Sequence, residues 1–259
     1  MREAPPEEVS EDTALGGRLI LRQPRHGHRF GHDAILLAAA VAANAGEHAV
    51  DLGAGIGTAG LALARRVDGV TVTLVEVDPF LAALAAENAA RNGLTARVRA
   101  ICLDIAAPAD AFAAAGLGPG TAAQVLMNPP FNPAQQTNVS PDRRRRLAHT
   151  ASAATLERFV DTAARLLRGR GVLTLIWRAD GLEAVLAVLS KAQFGAVAVL
   201  PVHAKPAKPA IRLLVAAVKG SRAPLSLLPG LYLADRGGTP SAEAQAILRD
   251  GAALPMHLH

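Results

Sequence analysis

From about Asp12 onward the chain alternates short β-branched, aliphatic runs with longer Ala- and Leu-rich stretches at helical spacing. That alternation predicts an α/β sheet built with helical crossovers. The first helix is expected to be capped by Asp33 and to run through Ile35, Leu36 and Leu37 into an Ala-rich stretch. His48 to Leu52 reads as a strand ending at a glycine turn, and Thr58 to Arg66 as the helix that follows. Val70 to Val75 is a second strand, buried by its β-branched content. Pro79 to Asn92 is helical, with Pro79 in the first turn and Gly93 as stop. Arg97 to Leu103 and Ala122 to Met127 read as the third and fourth strands, the latter ending at Asn128-Pro129-Pro130-Phe131. After a polar loop come a helix over Ala151 to Leu167 stopped at Gly169, a strand over Val172 to Trp177 and a helix over Gly181 to Ala192. Two last strands, Ala196 to Val202 and Ile211 to Val218, flank a Lys/Pro-rich turn, and a short helix covers Ala242 to Arg249. The expectation is a seven-stranded, mostly parallel sheet with helices on both faces. No repeat or long linker divides it, so one domain is expected over residues 13–259, behind an acidic, Pro-containing leader (1–12) read as disordered.

Composition narrows the class. Of 259 residues 51% are hydrophobic and 19% charged, a balance that excludes extended disorder as the main state. The longest apolar run, Ala34 to Ala43, is too short to cross a bilayer. The opening MREAPPEEVSED lacks the basic start and apolar stretch of a signal peptide. A single cysteine, Cys102, excludes an internal disulfide and a Cys-based zinc site; as a mid-strand residue it is expected to be small core packing. A soluble cytoplasmic protein is expected, with no membrane segment and no metal site. Monomer and homodimer both remain open.

Charge is unevenly spread. The net charge is +5, and residues 139–170 alone hold eight Arg against Asp142, Glu157 and Asp161. His203 to Arg222 carries Lys205, Lys208, Arg212, Lys219 and Arg222 without an acid. Localised positive potential suits a polyanion such as nucleic acid, with a solvated basic surface as the plain alternative. The run Arg143, Arg144, Arg145 and Arg146 favours phosphate contact, because four adjacent like charges repel without a partner.

Candidate chemistry clusters at strand ends. Asp51-Leu52-Gly53-Ala54-Gly55-Ile56-Gly57 joins a strand to a helix, where glycines let a ligand approach the backbone. The acid leading that turn would repel a pyrophosphate and favour a ligand with an amine or cationic group. Glu76 ends the next strand, where a carboxylate can accept two ribose hydroxyls. Asp104 ends the third and could take the amino group of adenine. Three acids at successive carboxyl ends point to a nucleoside-bearing ligand at that edge.

At the fourth strand end, two prolines leave a rigid run of carbonyl acceptors, Asn128 adds an amide oxygen and Phe131 a flat face. The set answers one chemical problem, methylation of a planar conjugated amine. Two acceptors holding its hydrogens favour a more tetrahedral, more nucleophilic nitrogen, while a stacked aromatic fixes the plane.

DLGAGIG, Glu76, Asp104 and LMNPPF resemble the amino-methylating class I S-adenosylmethionine-dependent methyltransferases. RFGHDAILLAA (29–39), AENAARNG (86–93), the Arg-rich loop ending in LAHTAS and IRLLVAAVKG (211–220) extend the likeness. Together they resemble the bacterial tRNA1(Val) adenine-37 N6-methyltransferase family over about Leu19 to Leu233. The resemblance implies a Rossmann-like fold and S-adenosylmethionine as cofactor, released as S-adenosylhomocysteine. It implies a glycine turn (Asp51, Gly53, Gly55, Gly57) against the methionyl part, Glu76 on ribose and Asp104 near adenine. The segment from Arg29 to Asp33 would cover the methionine end. Asn128 and the Pro129 carbonyl, on the rigid run with Pro130, would hold the target amine, with Phe131 stacking on the base. The implied partner is tRNA or another structured RNA.

Related methylases of rRNA guanine N2 and of protein glutamine share the same turn, and small-molecule O-methylation is a further rival. The chain has six Phe, one Trp and one Tyr, few for a reader of RNA loops, so binding would lean on Arg. His149 is read as a structural or substrate contact, Trp177 as core or pocket wall, and His257 and His259 as no metal site.

Overall fold

The computed structural model describes residues 9–25, 30–130 and 141–258, with backbone alone over 141–152. A hairpin opens the described chain: β1 (Val9–Ala14) pairs antiparallel with β2 (Leu19–Pro24). Then follow α1 (His32–Ala40), β3 (His48–Leu52), α2 (Thr58–Arg66), β4 (Thr71–Glu76), α3 (Pro79–Arg91), β5 (Val98–Cys102), α4 (Ala109–Ala114) and β6 (Ala122–Met127). The second half is α5 (Pro141–Leu166), β7 (Leu167–Arg178), α6 (Leu182–Lys191), β8 (Phe194–His203), β9 (Ala210–Lys219), β10 (Ser226–Leu227), β11 (Leu231–Tyr232) and α7 (Ala242–Leu248).

All seven expected strands are present, within one sheet of order β10-β8-β9-β7-β6-β3-β4-β5. β9 runs antiparallel to both β7 and β8, and the remaining pairings are parallel. The expected count falls short by two, because β10 and β11, of two residues each, add to the outer edge of β8. Strands this short carry no period of their own for a pattern to reveal.

Alternate side chains of the central strands enter two separate cores, as a sheet covered on both faces requires. Ala49, Leu74, Leu126 and Ile176 join α1, α2, α3 and the hairpin on one face. Val50, Leu52, Val125, Met127 and Trp177 meet Phe112 of α4 and the α5 and α6 side chains on the other. Trp177 is 3% exposed, so of its two expected settings it takes the core.

Several local expectations are corrected. Val9 to Asp12 of the leader lie in β1, and the Asp12 carboxylate accepts from the Gln23 amide at 2.7 Å; residues 1–8 lie outside the described residues. The outer edge of β2 is clasped by two asparagines of α3. Asn88 Oδ1 accepts from the Arg22 N–H at 2.7 Å and its amide nitrogen donates to the Arg22 carbonyl at 3.0 Å. Asn92 treats Ile20 in the same way, at 3.0 and 2.7 Å. The two amides thus replace a missing neighbouring strand, which keeps the hairpin ordered although it is detached from the main sheet. Arg22–Glu87 and Arg91–Glu11 ion pairs span the same seam.

Asp33 does not cap α1. The N-cap is Gly31, without a side-chain bond, and Asp33 in the first turn accepts from Arg212 Nε at 2.7 Å. α5 begins at Pro141, so the Arg run expected in a loop sits on a helix, and β7 starts at Leu167, before the expected stop at Gly169. Cys102 is exposed at the end of the edge strand β5, with Sγ near the Val77 carbonyl, so it is not core packing. Among the described residues no helix is long and apolar enough to cross a membrane.

Candidate active site

Register brings three strand ends level. Leu52 of β3 pairs with Val75 of β4 and with Met127 of β6, so the glycine turn, Glu76 and Asn128 emerge side by side at one sheet edge. Glu76 is 8% exposed and its carboxylate is held by backbone N–H groups alone. Oε2 accepts from Gly55 at 2.7 Å, and Oε1 accepts from Val77 at 2.9 Å and Asp78 at 3.0 Å. The acid therefore ties the turn to the end of β4 and leaves acceptor capacity on Oε2.

The turn is folded back by two further bonds, from the Gly53 and Ala54 N–H groups to the Val75 carbonyl at 2.9 and 3.0 Å. Its three glycines all have positive φ but different surroundings. A Cβ on Gly53 would lie 3.0 Å from the Phe159 ring of α5, and one on Gly57, the N-cap of α2, 2.7 Å from Leu74 Cδ1. A Cβ on Gly55 would meet nothing within 4 Å among the described residues. Of the three, it is Gly55 whose missing side chain leaves open space at the mouth of the site.

Asp51 lies behind the turn. Its side chain is 2% exposed and Oδ2 accepts from the Gly60 N–H inside α2 at 2.9 Å. Burial pushes its carboxyl up to about 7, the neighbouring Glu76 charge adds to this, and the Gly60 N–H opposes it. Asp51 thereby holds the helix that follows the turn. Asp104, two residues past β5, is exposed; Oδ1 accepts from the Ala106 N–H at 2.8 Å.

Asn128 continues β6. Its amide oxygen is buried and has no hydrogen-bond partner among the described residues. An acceptor stripped of water without replacement costs about 1–3 kcal/mol, which a donor brought by a ligand would restore. Pro129 beside it is buried and Pro130 exposed. Phe131 and Arg29 lie outside the described residues. Arg143 to Arg146 and His149 fall on the backbone of α5, with side chains outside the described residues.

The structure therefore brings Gly53, Gly55, Gly57, Glu76 and Asn128 to one edge, with Asp51 behind them, Asp104 at the neighbouring strand exit and Asp33 tied to Arg212. Two contributors escaped the sequence reading. Phe159 floors the glycine turn from α5, about a hundred residues away, with no local signal. Asn88 also bonds the Ile56 carbonyl at 3.1 Å, linking turn to hairpin. The spacing of Asn88 and Asn92, one helical turn apart in AENAARNG, was the available sign.

Comparison with known proteins fits this geometry. The tRNA1(Val) (adenine(37)-N6)-methyltransferase of Porphyromonas gingivalis is 31% identical over 159 residues, a match spanning 60% of each chain. The protein of the same description from Dickeya chrysanthemi is 28% identical over 238 residues, 90% of this chain and 91% of that one. A crystal structure from Agrobacterium tumefaciens, described as a predicted O-methyltransferase, is 28% identical with a TM-score of 0.73, covering 87% of this chain and 99% of that one. The fold is the expected Rossmann-like methyltransferase fold. A family model for the methyltransferase small domain matches residues 29–205, which take in the glycine turn, Glu76, Asp104 and Asn128, and the chain belongs to that family.

Proposed function

We propose that the protein methylates an exocyclic amino group of RNA with S-adenosylmethionine, adenine N6 of a tRNA being the substrate the features favour. The observation that carries this reading is the buried amide oxygen of Asn128, without a hydrogen-bond partner among the described residues, beside the Glu76-braced glycine turn. Family membership and the two tRNA-methylating relatives support it.

The residues fit the cofactor. Open space above Gly55, the remaining acceptor capacity of Glu76 Oε2 and the exposed Asp104 carboxylate offer a backbone approach, a ribose acceptor and an acceptor for an adenine amine. When bound, S-adenosylmethionine supplies an electrophilic methyl group carried on a sulfonium. The chain's own part is to present the acceptor nitrogen. Asn128 Oδ1 and the Pro129 carbonyl take its two hydrogens, which draws its lone pair out of conjugation. Prolines at 129 and 130 keep that carbonyl run rigid, and Phe131 supplies the stacking face. The methylated nitrogen passes its surplus proton to water, so no side-chain base is required. Arg143 to Arg146 contact phosphates of the substrate.

The test is transfer of labelled methyl to unmodified tRNA, to rRNA and to protein extract, with wild type and Asn128→Ala. N6-methyladenosine in tRNA is expected from wild type. Asn128→Ala is expected to lose transfer while keeping cofactor affinity within about a few-fold. Label in protein or in guanine overturns the substrate, and undiminished transfer by Asn128→Ala overturns the role of the amide.

A further inference from the structure

The basic stretch after β8 has no role in the site described above, and the structure gives it company. Tyr232, the sole tyrosine of the chain, is 42% exposed and stacks on His203, with ring centroids 5.0 Å apart and planes at 28°. The stack is built in by pairing, since β11 runs parallel to β8 with Tyr232 opposite His203. His203 is itself held. Its Nδ1 bonds the Lys208 carbonyl at 2.8 Å, and a Cβ on Gly230 would lie 2.9 Å from Cδ2 and Nε2, so the chain passes tight against the ring edge. One aromatic ring thus stands backed by a second that cannot turn away.

Two cations lie in the adjoining turn. Lys205 and Lys208 lie in the turn between His203 and Ala210, and neither is in an ion pair among the described residues. The neighbouring acid, Asp235, spends Oδ1 on the N–H groups of Gly238 and Thr239 at 2.8 and 2.9 Å. β8 runs parallel to β7 through the antiparallel β9, so this turn leaves the sheet at the same edge as Asn128. Three inter-strand steps separate β8 from β6, about 14 Å at the usual strand spacing. Arg178 and Arg212, paired across β7 and β9, lie on that path, each with an acid, Asp180 and Asp33.

We infer that Tyr232, backed by His203 and flanked by Lys205 and Lys208, is a second contact for the RNA substrate, stacking on one unpaired base while the lysines hold its phosphates. The inference rests on the RNA reading proposed above and adds a surface to it. An acidic peptide would use the lysines but has no need of a flat ring held rigid near them; single-stranded nucleic acid uses both. With few aromatics in the chain, this stack offers a place, apart from Phe131, where a second loop base can be read.

The experiment uses the full chain with Tyr232→Ala, Tyr232→Phe and the pair Lys205→Ala with Lys208→Ala. The readouts are KM and kcat for methyl transfer to unmodified tRNA, the affinity for S-adenosylmethionine and the thermal midpoint. Tyr232→Ala is expected to raise KM for RNA on the order of tenfold with kcat at saturation and cofactor affinity unchanged, and Tyr232→Phe to behave as wild type. The lysine pair is expected to lower the slope of log affinity against log salt by about 1.4, the share of two single-strand phosphates. Wild-type KM for Tyr232→Ala, or an effect on kcat alone, overturns the platform while the RNA reading stands. If wild type labels protein and no RNA, both fall. Should Tyr232→Ala lower the thermal midpoint sharply, the lysine pair decides: an unchanged salt slope overturns the inference.

Discussion

Gly55 and Gly57, two residues apart in one turn, are expected to fail in different ways when replaced by alanine. At Gly55, φ is +56° and nothing among the described residues lies within 4 Å of the new Cβ, so the folded state bears only the left-handed backbone cost, roughly 1–2 kcal/mol. At Gly57, φ is +87° and the Cβ would sit 2.7 Å from Leu74 Cδ1 and 3.3 Å from Leu61 Cδ1. Both leucines are fully buried and cannot retreat, so overpacking adds about 1–3 kcal/mol to the same backbone cost, roughly 2–5 kcal/mol in all. At about 2–4 °C per kcal/mol for a domain of this size, Gly55→Ala lowers the thermal midpoint by about 2–8 °C and Gly57→Ala by about 4–20 °C. Binding is expected to run in the opposite order. The Gly55 methyl enters the space assigned to the cofactor and weakens S-adenosylmethionine by about tenfold or more, whereas folded Gly57→Ala binds within about a few-fold of wild type. Thermal unfolding and isothermal titration at low temperature measure both quantities on the same samples. Wild-type affinity in Gly55→Ala would refute the assignment of the open space, whatever the stability result.

Asp51 and Asn88 yield two further expectations. Folding raises the Asp51 carboxyl from 3.8 to about 7, so the folded state keeps a proton that the unfolded chain releases above about pH 4, and stability falls as pH rises from there towards 7. Asp51→Asn removes this slope, reducing the loss in unfolding free energy between pH 5 and pH 8 by on the order of 3 kcal/mol; identical pH dependence in urea titrations of the two proteins would disprove the buried, protonated acid. Asn88→Ala strands the Arg22 N–H and carbonyl and the Ile56 carbonyl, and is expected to cost about 2–4 kcal/mol by urea denaturation, with exchange of the β2 amides accelerated. A change below about 0.5 kcal/mol would mean that water replaces the clasp.

The parts of the fold visible in the sequence are those whose cause lies within a few residues. Strand-length β-branched runs separated by Ala- and Leu-rich stretches indicated seven strands and the crossovers between them, and the glycine turn marked its own edge. Asn128 was legible for the same reason, since the two prolines after it make a local signal that packing does not mask. The start of the hairpin, Val9 to Asp12, was read as part of a disordered leader because that stretch is largely polar and acidic. The hairpin's order comes from Asn88 and Asn92, 66 and 72 residues away, which satisfy a strand edge that the chain around it cannot. The Arg run was expected in the polar loop before Ala151, and the structure places it on the backbone of α5.

Asp33 and Asp51 show the same boundary within the site. Each was singled out as a carboxylate for the cofactor, and each has an immediate partner set by packing and not by the motif around it. Arg212, 179 positions away, claims Asp33, and burial beneath the turn directs Asp51 to Gly60. The amino-acid sequence by itself determined the alternation of elements, the placing of the glycine turn, Glu76 and Asn128 at strand ends, and the family, because these depend on side-chain period and on short motifs. Only the tertiary structure decided which glycine faces open space, which acids are consumed by backbone amides and where the lone tyrosine stands. Those outcomes depend on which distant residues reach the same point, and on whether water is still there when they do.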